Sequence, residues 1–271
     1  MGRTGLCVEM PEMKNKRTPS NQSSVVSKCT SILDILAAAD RPLSFAEISE
    51  RTGLVKSSAH RVVAILLTEG LAEFDPRSKL YRLGPKLMSW ALVAWRGNDL
   101  QQIARDELEH LREETGHNIE LAVRDGTNVL FLRTLSSYPV RIASKAGDLA
   151  PLHCTAIGKV LVAFLPDKVR SEVLEKLTFD QFTKKSIRDR DAFEIELSRV
   201  RQQCYAVCDQ EEFLHVCGVA APIFGFEKSV RGGISVWSLT SRSTIDDMIK
   251  LAPQVRAAAE RISAKLGDNG T

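Results

Sequence analysis

The chain has 271 residues, which is enough for two domains of ordinary size. With 44% hydrophobic and 26% charged residues it has the composition of a soluble globular protein, and no apolar run approaches the roughly 20 residues of a transmembrane helix. This argues against a membrane-spanning protein. Residues 1–23 contain no apolar block followed by a small-residue cleavage site, so we predict a disordered leader rather than a secretion signal.

Cysteine spacing and charge distribution bear on the cellular compartment of the protein and on its possible binding partners. The six cysteines, at positions 7, 29, 154, 204, 208 and 217, show neither the paired spacing of a zinc site nor the density of a disulfide framework, which favours a reducing cytoplasm. The net charge is +3, and residues 1–95 carry 13 Lys and Arg against 9 Asp and Glu. That small basic excess permits nucleic-acid binding in the first third of the chain without demanding it.

The first ninety residues predict three helices. Apolar residues recur at helical spacing over 25–39, and Arg41-Pro42 ends that segment. Ser44-Phe45-Ala46-Glu47 has the pattern of a capping box, and Gly53 is suited to a left-handed cap, which together delimit a short second helix. A third helix is predicted over 55–69, before Gly70.

The third helix has two distinct faces. Ala59, Val62, Val63, Leu66 and Leu67 form a stripe wide enough to pack on the first two helices. The other face carries small or hydrogen-bonding groups, the kind that contacts bases and phosphates in a major groove: Lys56, Ser57, Ser58, His60 and Arg61. An ordinary solvated helix face is the alternative.

A predicted β-hairpin follows and favours the DNA-binding interpretation. Residues 71–74 and 79–83 suit two strands, joined by Asp75-Pro76-Arg77-Ser78 as a turn. Arg77, Lys79 and Arg82 lie where a wing would touch backbone phosphates. We therefore predict a winged helix-turn-helix domain over 24–84 that binds double-stranded operator DNA. Since one such domain contacts few base pairs, we expect self-association to a dimer or tetramer on a palindromic site.

Beyond this domain we expect a helical linker, 85–115, then a second domain, 116–267, and a tail, 268–271. In the linker Leu87, Trp90, Ala91 and Ala94 could form an interdomain seam, a dimer contact or simple packing on their own domain. In the second domain a hairpin is predicted around Asp125-Gly126, with strands at 140–144, 205–208, 219–224 and 230–239. Helices are predicted at 156–164, 168–177, 191–203 and 244–266, set on one side of the strands.

Four segments of the second domain resemble the effector domain of the IclR family of bacterial regulators. They are Pro151 to Lys159, Tyr205 to Phe213, Val219 to Ile223 and Ile234 to Val236. Lys56-Ser57-Ser58 and His60-Arg61 resemble the DNA-binding head of that family, and the likeness runs over about residues 24–266. It implies an α/β multi-domain protein: an N-terminal, all-α winged helix-turn-helix domain and a C-terminal α+β, GAF-like effector domain that binds a small organic acid or aromatic metabolite.

The residues also suggest where such an effector would bind. Thr155 is a suitable N-cap for a helix that begins at Ala156, and a helix start attracts carboxylates, although an ordinary capped helix is the alternative. The resemblance extends this site to Leu152, Ile157, Cys208, Asp209, Gly218, Ser235 and Trp237. The family often has an acid at 208, a cysteine at 218 and a serine at 237. We therefore expect a flatter, less polar cavity that suits a planar carboxylate, including an aromatic one.

Two other functions use the same residues. A hydrolase would pair a cysteine with a histidine, His153 with Cys154 or Cys208 with His215, but neighbouring residues on a strand point to opposite faces. A metal sensor would use His153, Cys154, Cys208, His215 and Cys217, whose spacing matches no known zinc pattern. We predict no catalytic residues, no metal and no cofactor.

Overall fold

The computed structural model describes residues 24–96, 100–139, 144–225 and 228–268, and the chain divides into two compact units between residues 97 and 98. The predicted leader, most of the strand predicted at 140–144 and most of the predicted tail lie outside the described residues. The division places the first helix of the predicted linker in the first unit and the second helix in the second unit. None of the described helices is long and apolar enough to cross a bilayer.

The first unit contains three helices, a small sheet and a fourth helix. Its elements are α1 (Val25–Ala37), β1 (Leu43–Ser44), α2 (Phe45–Thr52), α3 (Lys56–Thr68), β2 (Ala72–Asp75), β3 (Leu80–Leu83) and α4 (Pro85–Arg96). The antiparallel sheet has the order β1-β3-β2, so the predicted wing gains a third strand, β1, that the sequence did not indicate. Ile32, Ile48 and Leu66 are fully buried where the first three helices meet.

Local signals fix the helix boundaries of this unit. The Ser44 hydroxyl accepts a hydrogen bond from the Glu47 amide at 3.3 Å, and the Glu47 carboxylate accepts one from the Ser44 amide at 2.9 Å. This reciprocal capping box satisfies two amides that the helix itself leaves unpaired. Gly53 ends α2 with φ +65°, a conformation that glycine adopts without strain. The predicted boundaries of α2 are therefore confirmed.

The second unit is built around one six-stranded antiparallel sheet of order β6-β5-β4-β9-β8-β7. Its strands are β4 (Asn118–Asp125), β5 (Asn128–Leu135), β6 (Leu149–Pro151), β7 (Ala206–Asp209), β8 (Val216–Phe224) and β9 (Val230–Leu239). Its helices are α5 (Leu100–Thr115), α6 (Ala156–Ala163), α7 (Asp167–Lys176), α8 (Arg190–Gln203), α9 (Ile245–Lys250) and α10 (Ala252–Asp268).

Helices cover both faces of this sheet, so the prediction of helices on one side is wrong. On β8, Val219 and Ala221 pack in the apolar cluster that contains α5 and α10. Ala220, between them, packs in the cluster that contains α6, α7 and α8. Since successive strand residues point to opposite faces, the two clusters lie on opposite sides of the sheet. The domain therefore has three layers.

The long helix predicted at 244–266 is in fact two helices. Thr244 and Asp247 form a capping box at the start of α9, which ends at Lys250 with Leu251 as its C-cap, and α10 begins at Ala252. Pro253 has no amide hydrogen and its ring would collide with the carbonyl of Ile249 in a regular helix, which favours an interruption at this position. Proline in the first turn of α10 is well tolerated because that turn needs no amide donor there.

Candidate nucleic-acid interface and ligand cavity

Helix α3 buries one side and exposes the other, as predicted. Ala59, Val62, Val63 and Leu66 are all 4% exposed or less. Lys56, Ser57, His60 and Arg61 are exposed on the opposite side, and Ser58 is partly buried. The aliphatic stripe is held by the helical core, so the polar side chains are presented to solvent by a rigid element.

Two local features shape the beginning of α3. Its N-cap residue, Val55, makes no side-chain capping bond, so the first amides of the helix keep their capacity to bind an anion. The His60 ring stacks on Phe45 of α2, with ring centroids 3.8 Å apart and an interplanar angle of 22°. This stacking restricts the imidazole to one orientation on the exposed face.

The tip of the wing is ordered by Asp75. Its carboxylate accepts hydrogen bonds from the Ser78 hydroxyl at 2.7 Å and the Arg77 amide at 2.9 Å, and these donors lower the pKa of Asp75. Lys79 adopts φ +57°, and its amide donates to the Asp75 carbonyl at 2.8 Å. Arg77 and Lys79 are exposed at this tip.

The cations of this surface differ in how far their charge is compensated. Arg82 forms an ion pair across the hairpin with Glu73 at 3.0 Å. Within the described part of the chain, Lys56, Arg61, Arg77 and Lys79 take part in no ion pair. The uncompensated positive charge therefore lies on α3 and at the wing tip, and Arg82 would have to leave Glu73 to contact a phosphate.

The second unit contains a cavity of about 60 Å³ between the start of α6 and the sheet. Most residues predicted for the effector site line it: Thr155, Ala156, Ile157, Cys208, Gly218, Ser235 and Trp237. Further lining residues were not predicted: Glu120, Phe131, Ser144, Glu212, Phe213 and Val216. They come from β4, β5, the approach to β6, the loop 210–215 and β8, so the cavity draws on segments far apart in the chain.

Leu152 and Asp209 do not line this cavity, which corrects the prediction for both. Leu152 is fully buried beneath α6, close to Gly158, where a Cβ would lie 2.3 Å from the Leu152 carbonyl oxygen. Asp209 follows Cys208 on β7 and points to the other face, where it forms an ion pair with Lys185 at 2.5 Å. Alternation along the strand separates these two neighbours.

The start of α6 is built as predicted. The Thr155 hydroxyl accepts a hydrogen bond from the Gly158 amide at 3.1 Å and donates to the Pro151 carbonyl at 2.8 Å. The amides of Ala156 and Ile157 lie in the first turn, where no intrahelical acceptor is available, and both residues line the cavity. This part of the wall suits a negatively charged or hydrogen-bond-accepting group.

Two carboxyl groups also line the cavity. Burial raises the pKa of Glu120 to about 7, against the opposing effect of hydrogen bonds that include the Ser235 hydroxyl at 3.1 Å. Burial and the neighbouring charge of Glu120 raise the pKa of Glu212 to about 8. Cys208 stands where the family often has an acid. The cavity nevertheless stays polar, because Glu120 and Glu212 line it.

A buried lysine holds the loop that carries Glu212. The Lys159 side chain on α6 is 3% exposed, and its ammonium contacts the Glu211 carboxylate at 2.6 Å, the Val207 carbonyl at 2.7 Å and Glu196 on α8 at 3.3 Å. Burial lowers the pKa of Lys159, but the charges of Glu211 and Glu196 outweigh this effect and raise it, so the lysine stays protonated. The network ties α6, α8 and the loop 210–215 together.

The cysteines and histidines give no support to a thiol nucleophile. Burial raises the pKa of Cys208 to about 12 and raises that of Cys154 as well, so both thiols are protonated and weakly nucleophilic. The His153 ring contacts the Asp180 carbonyl at 3.0 Å rather than a thiol. Among the described residues no three of His, Cys, Asp and Glu are grouped so that they could hold a metal ion.

Comparison with known proteins agrees with this architecture. Residues 25–76 match the IclR helix-turn-helix domain, and residues 93–264 match the bacterial transcriptional regulator IclR C-terminal domain. The chain is 30% identical over 243 residues to the HTH-type transcriptional regulator XynR of Escherichia coli, covering 89% of this chain and 96% of that protein.

Solved structures show the same arrangement of elements. The IclR protein of Thermotoga maritima is 26% identical, covers 89% of this chain and 98% of its own, and has a TM-score of 0.69. An IclR homologue of Microbacterium hydrocarbonoxydans, solved in complex with 4-hydroxybenzoate, is 24% identical, covers 90% of this chain and 99% of its own, and has a TM-score of 0.73. The chain therefore belongs to the IclR family of bacterial transcriptional regulators and is not an enzyme.

Proposed function

We propose that this regulator binds operator DNA by inserting the exposed face of α3 into the major groove and placing the wing on the phosphate backbone. The observation that carries the proposal is the exposure of Ser57 and Arg61, one helical turn apart on the side of α3 opposite its buried stripe. An arginine in this position suits bidentate contact with guanine, and a serine suits contact with any base or phosphate. Arg77 and Lys79 at the wing tip suit sequence-independent phosphate contacts.

The proposed DNA-binding form of the regulator is a dimer or tetramer. One winged helix contacts too few base pairs for useful specificity, and a symmetric pair doubles the contacted site. Helix α4 supports self-association because three large apolar side chains are exposed on it: Met88 at 66%, Trp90 at 53% and Val93 at 67%. Leu87 is partly buried and Ala91 exposed, whereas the side chain of Ala94 lies outside the described residues.

A small organic acid in the cavity of the second unit is the proposed effector. The uncapped amides of Ala156 and Ile157 would bind its carboxylate, and Trp237 and Phe213 provide apolar walls for the rest of the molecule. The complex of the Microbacterium homologue with 4-hydroxybenzoate supports binding of an organic acid by this type of protein. Leu152 and Asp209 are not part of the proposed site.

Fluorescence anisotropy tests the DNA interface. A labelled duplex is first selected from a random-sequence library with the purified full-length protein, and its affinity is then compared for wild type, Arg61→Ala and Arg190→Ala. Arg190 is an exposed arginine of α8 in the second unit, so its removal changes the charge equally without touching α3.

We expect Arg61→Ala to weaken binding by roughly 5- to 150-fold, the cost of one good base contact, and Arg190→Ala to have no effect. Circular dichroism spectra and thermal unfolding curves, both recorded without ligand, would verify that both variants fold. Equal affinity of Arg61→Ala and wild type, or failure of the library to yield any preferred sequence, would contradict the assignment of α3.

A further inference from the structure

The two carboxyls of the cavity differ in their partners. Glu120 is held by donors from the wall, since the hydroxyls of Ser235 and Ser144 and the indole of Trp237 all favour its ionised form. Glu212 has no hydrogen-bond or ion-pair partner among the residues that the structure describes, although it lines the same cavity. Within the described ranges, therefore, only one acid of the pair has partners.

Among the residues that the structure describes, none near Glu212 supplies a counterion. Its ionisable neighbours are Glu120 on β4, Cys208 on β7 and Cys154 before α6, and the two thiols are neutral. No Lys, Arg or His side chain lines the cavity within the described ranges, and the nearby Lys159 is engaged by Glu211, Glu196 and the Val207 carbonyl. Glu212 is partly buried, and a carboxylate in such a place with no cation beside it among the described residues suits a cationic or hydrogen-bond-donating ligand.

Other parts of the wall have the opposite preference. The free first-turn amides of α6 attract a negatively charged group, as argued above. The aromatic rings of Trp237 and Phe213 suit either an apolar side chain or the approach of a cation. The cavity therefore offers a donor region and an acceptor region within a space of about 60 Å³.

Resting on the proposed function, we propose that the effector is a small amino acid or a close amino-carboxylate, whose ammonium pairs with Glu212 and whose carboxylate meets the amides of Ala156 and Ile157. A simple organic acid would accept hydrogen bonds from the amides of Ala156 and Ile157 but would leave Glu212 without a cation. A simple amine would pair with Glu212 but would leave those amides without an acceptor. Only a molecule that carries both groups satisfies both regions.

Calorimetry with matched ligands tests the proposal on the full-length protein. Each standard amino acid is titrated beside the 2-hydroxy acid and the primary amine that share its side chain, for example alanine, lactate and ethylamine. We expect one or more amino acids to bind roughly thirtyfold more tightly than the matching hydroxy acid, the ratio that corresponds to loss of a buried charge pair.

Glu212→Gln supplies a second, independent readout. The amide keeps the shape of the side chain but cannot carry charge, so binding of the amino acid should fall by roughly thirtyfold while binding of the hydroxy acid is unchanged or improved. Glu172→Gln, the same change on the exposed surface of α7, is the matched control and should leave both affinities unaltered.

The dependence of binding on pH gives the third readout. Between pH 6 and 9 an ammonium ligand should bind more tightly as Glu212 loses its proton, whereas a ligand with only a carboxylate should bind less tightly as the acids become charged. Tighter binding of hydroxy or keto acids than of amino acids, binding of no amino acid at all, or an amino-acid affinity indifferent to Glu212→Gln would overturn the proposal. DNA affinity measured without ligand reports separately on the proposed function.

Discussion

Replacing Lys159 by methionine should strongly destabilise the second unit. The substitution keeps most of the buried aliphatic stem and removes the ammonium that contacts Glu211 at 2.6 Å and the Val207 carbonyl at 2.7 Å. Glu211 is only 8% exposed, so its carboxylate would be left buried without a cation. Breaking a buried ion pair from one side costs about 3–5 kcal/mol, a large share of the roughly 5–15 kcal/mol that stabilises a typical domain.

Urea unfolding followed by tryptophan fluorescence and circular dichroism measures this loss. With a slope of about 1–3 kcal/mol per M urea, the unfolding midpoint of Lys159→Met should fall by more than about 1 M. The deficit should grow from pH 5 to pH 8, because the orphaned Glu211 would be neutral in the folded state at low pH and would have to ionise as the pH rises. Lys176→Met, a change at an exposed lysine of α7, should be close to neutral.

A double-mutant cycle separates the ion pair from simple packing. Lys159→Met combined with Glu211→Leu removes both charges, so the double variant should be more stable than Lys159→Met alone. If Lys159→Met costs less than about 1 kcal/mol, or if the double variant loses the sum of both single losses, then the network does not act as a coupled unit.

Three further predictions follow from other parts of the molecule. Gly218→Ala should lower the midpoint of thermal unfolding of the second unit, because its Cβ would lie 2.9 Å from both the Cβ of Trp237 and the Val236 carbonyl oxygen; an unchanged midpoint would mean that β8 and β9 separate at no cost. Ser44→Ala should cost about 1 kcal/mol in unfolding of the first unit, because it removes the capping hydroxyl; an unchanged midpoint would mean that the cap contributes nothing. The raised pKa of Glu212, about 8, means that ligand-free stability should fall as the pH rises from about 4.5 to 8, and Glu212→Gln should flatten that slope in denaturation at several pH values.

The first unit could be predicted closely because its signals are local. The capping box of Ser44 and Glu47 and the left-handed Gly53 are each set by residues within a few positions of one another. The strand β1 was missed for the opposite reason. Its two residues pair with Tyr81 and Leu80, and no short-range pattern announces a contact between segments so far apart.

The layers of the second unit were mispredicted although a signal was present. β8 is a nearly continuous apolar run, and a strand that is apolar on successive residues is buried on both faces. That pattern, rather than the order of helices and strands, indicates helices on both sides. Pro253 likewise marks the interruption between α9 and α10 in the sequence itself.

The residues by themselves predicted one wall of the cavity, and the family resemblance added Cys208, Gly218, Ser235 and Trp237 on the sheet. Thr155, Ala156 and Ile157 follow from helix capping, which is a local argument. Glu120 lies opposite Ser235 in the pairing of β4 with β9, and Glu212 lies in a loop after β7, so their meeting depends on the register of the sheet. Glu120 did carry a signal, since it is an acid between the fully buried Ile119 and Leu121.

The order of strands has a consequence for synthesis of the protein. β4 pairs with β9, and Asn118 lies opposite Trp237, so the centre of the sheet joins segments at the two ends of the domain. Pairings of such large sequence separation form slowly, because the chain loses the entropy of closing the intervening loop before the strand contacts can stabilise it. On the ribosome the first unit can fold early, whereas the ligand cavity cannot assemble until β9 has emerged, which leaves the nascent second unit dependent on protection from aggregation for most of its translation.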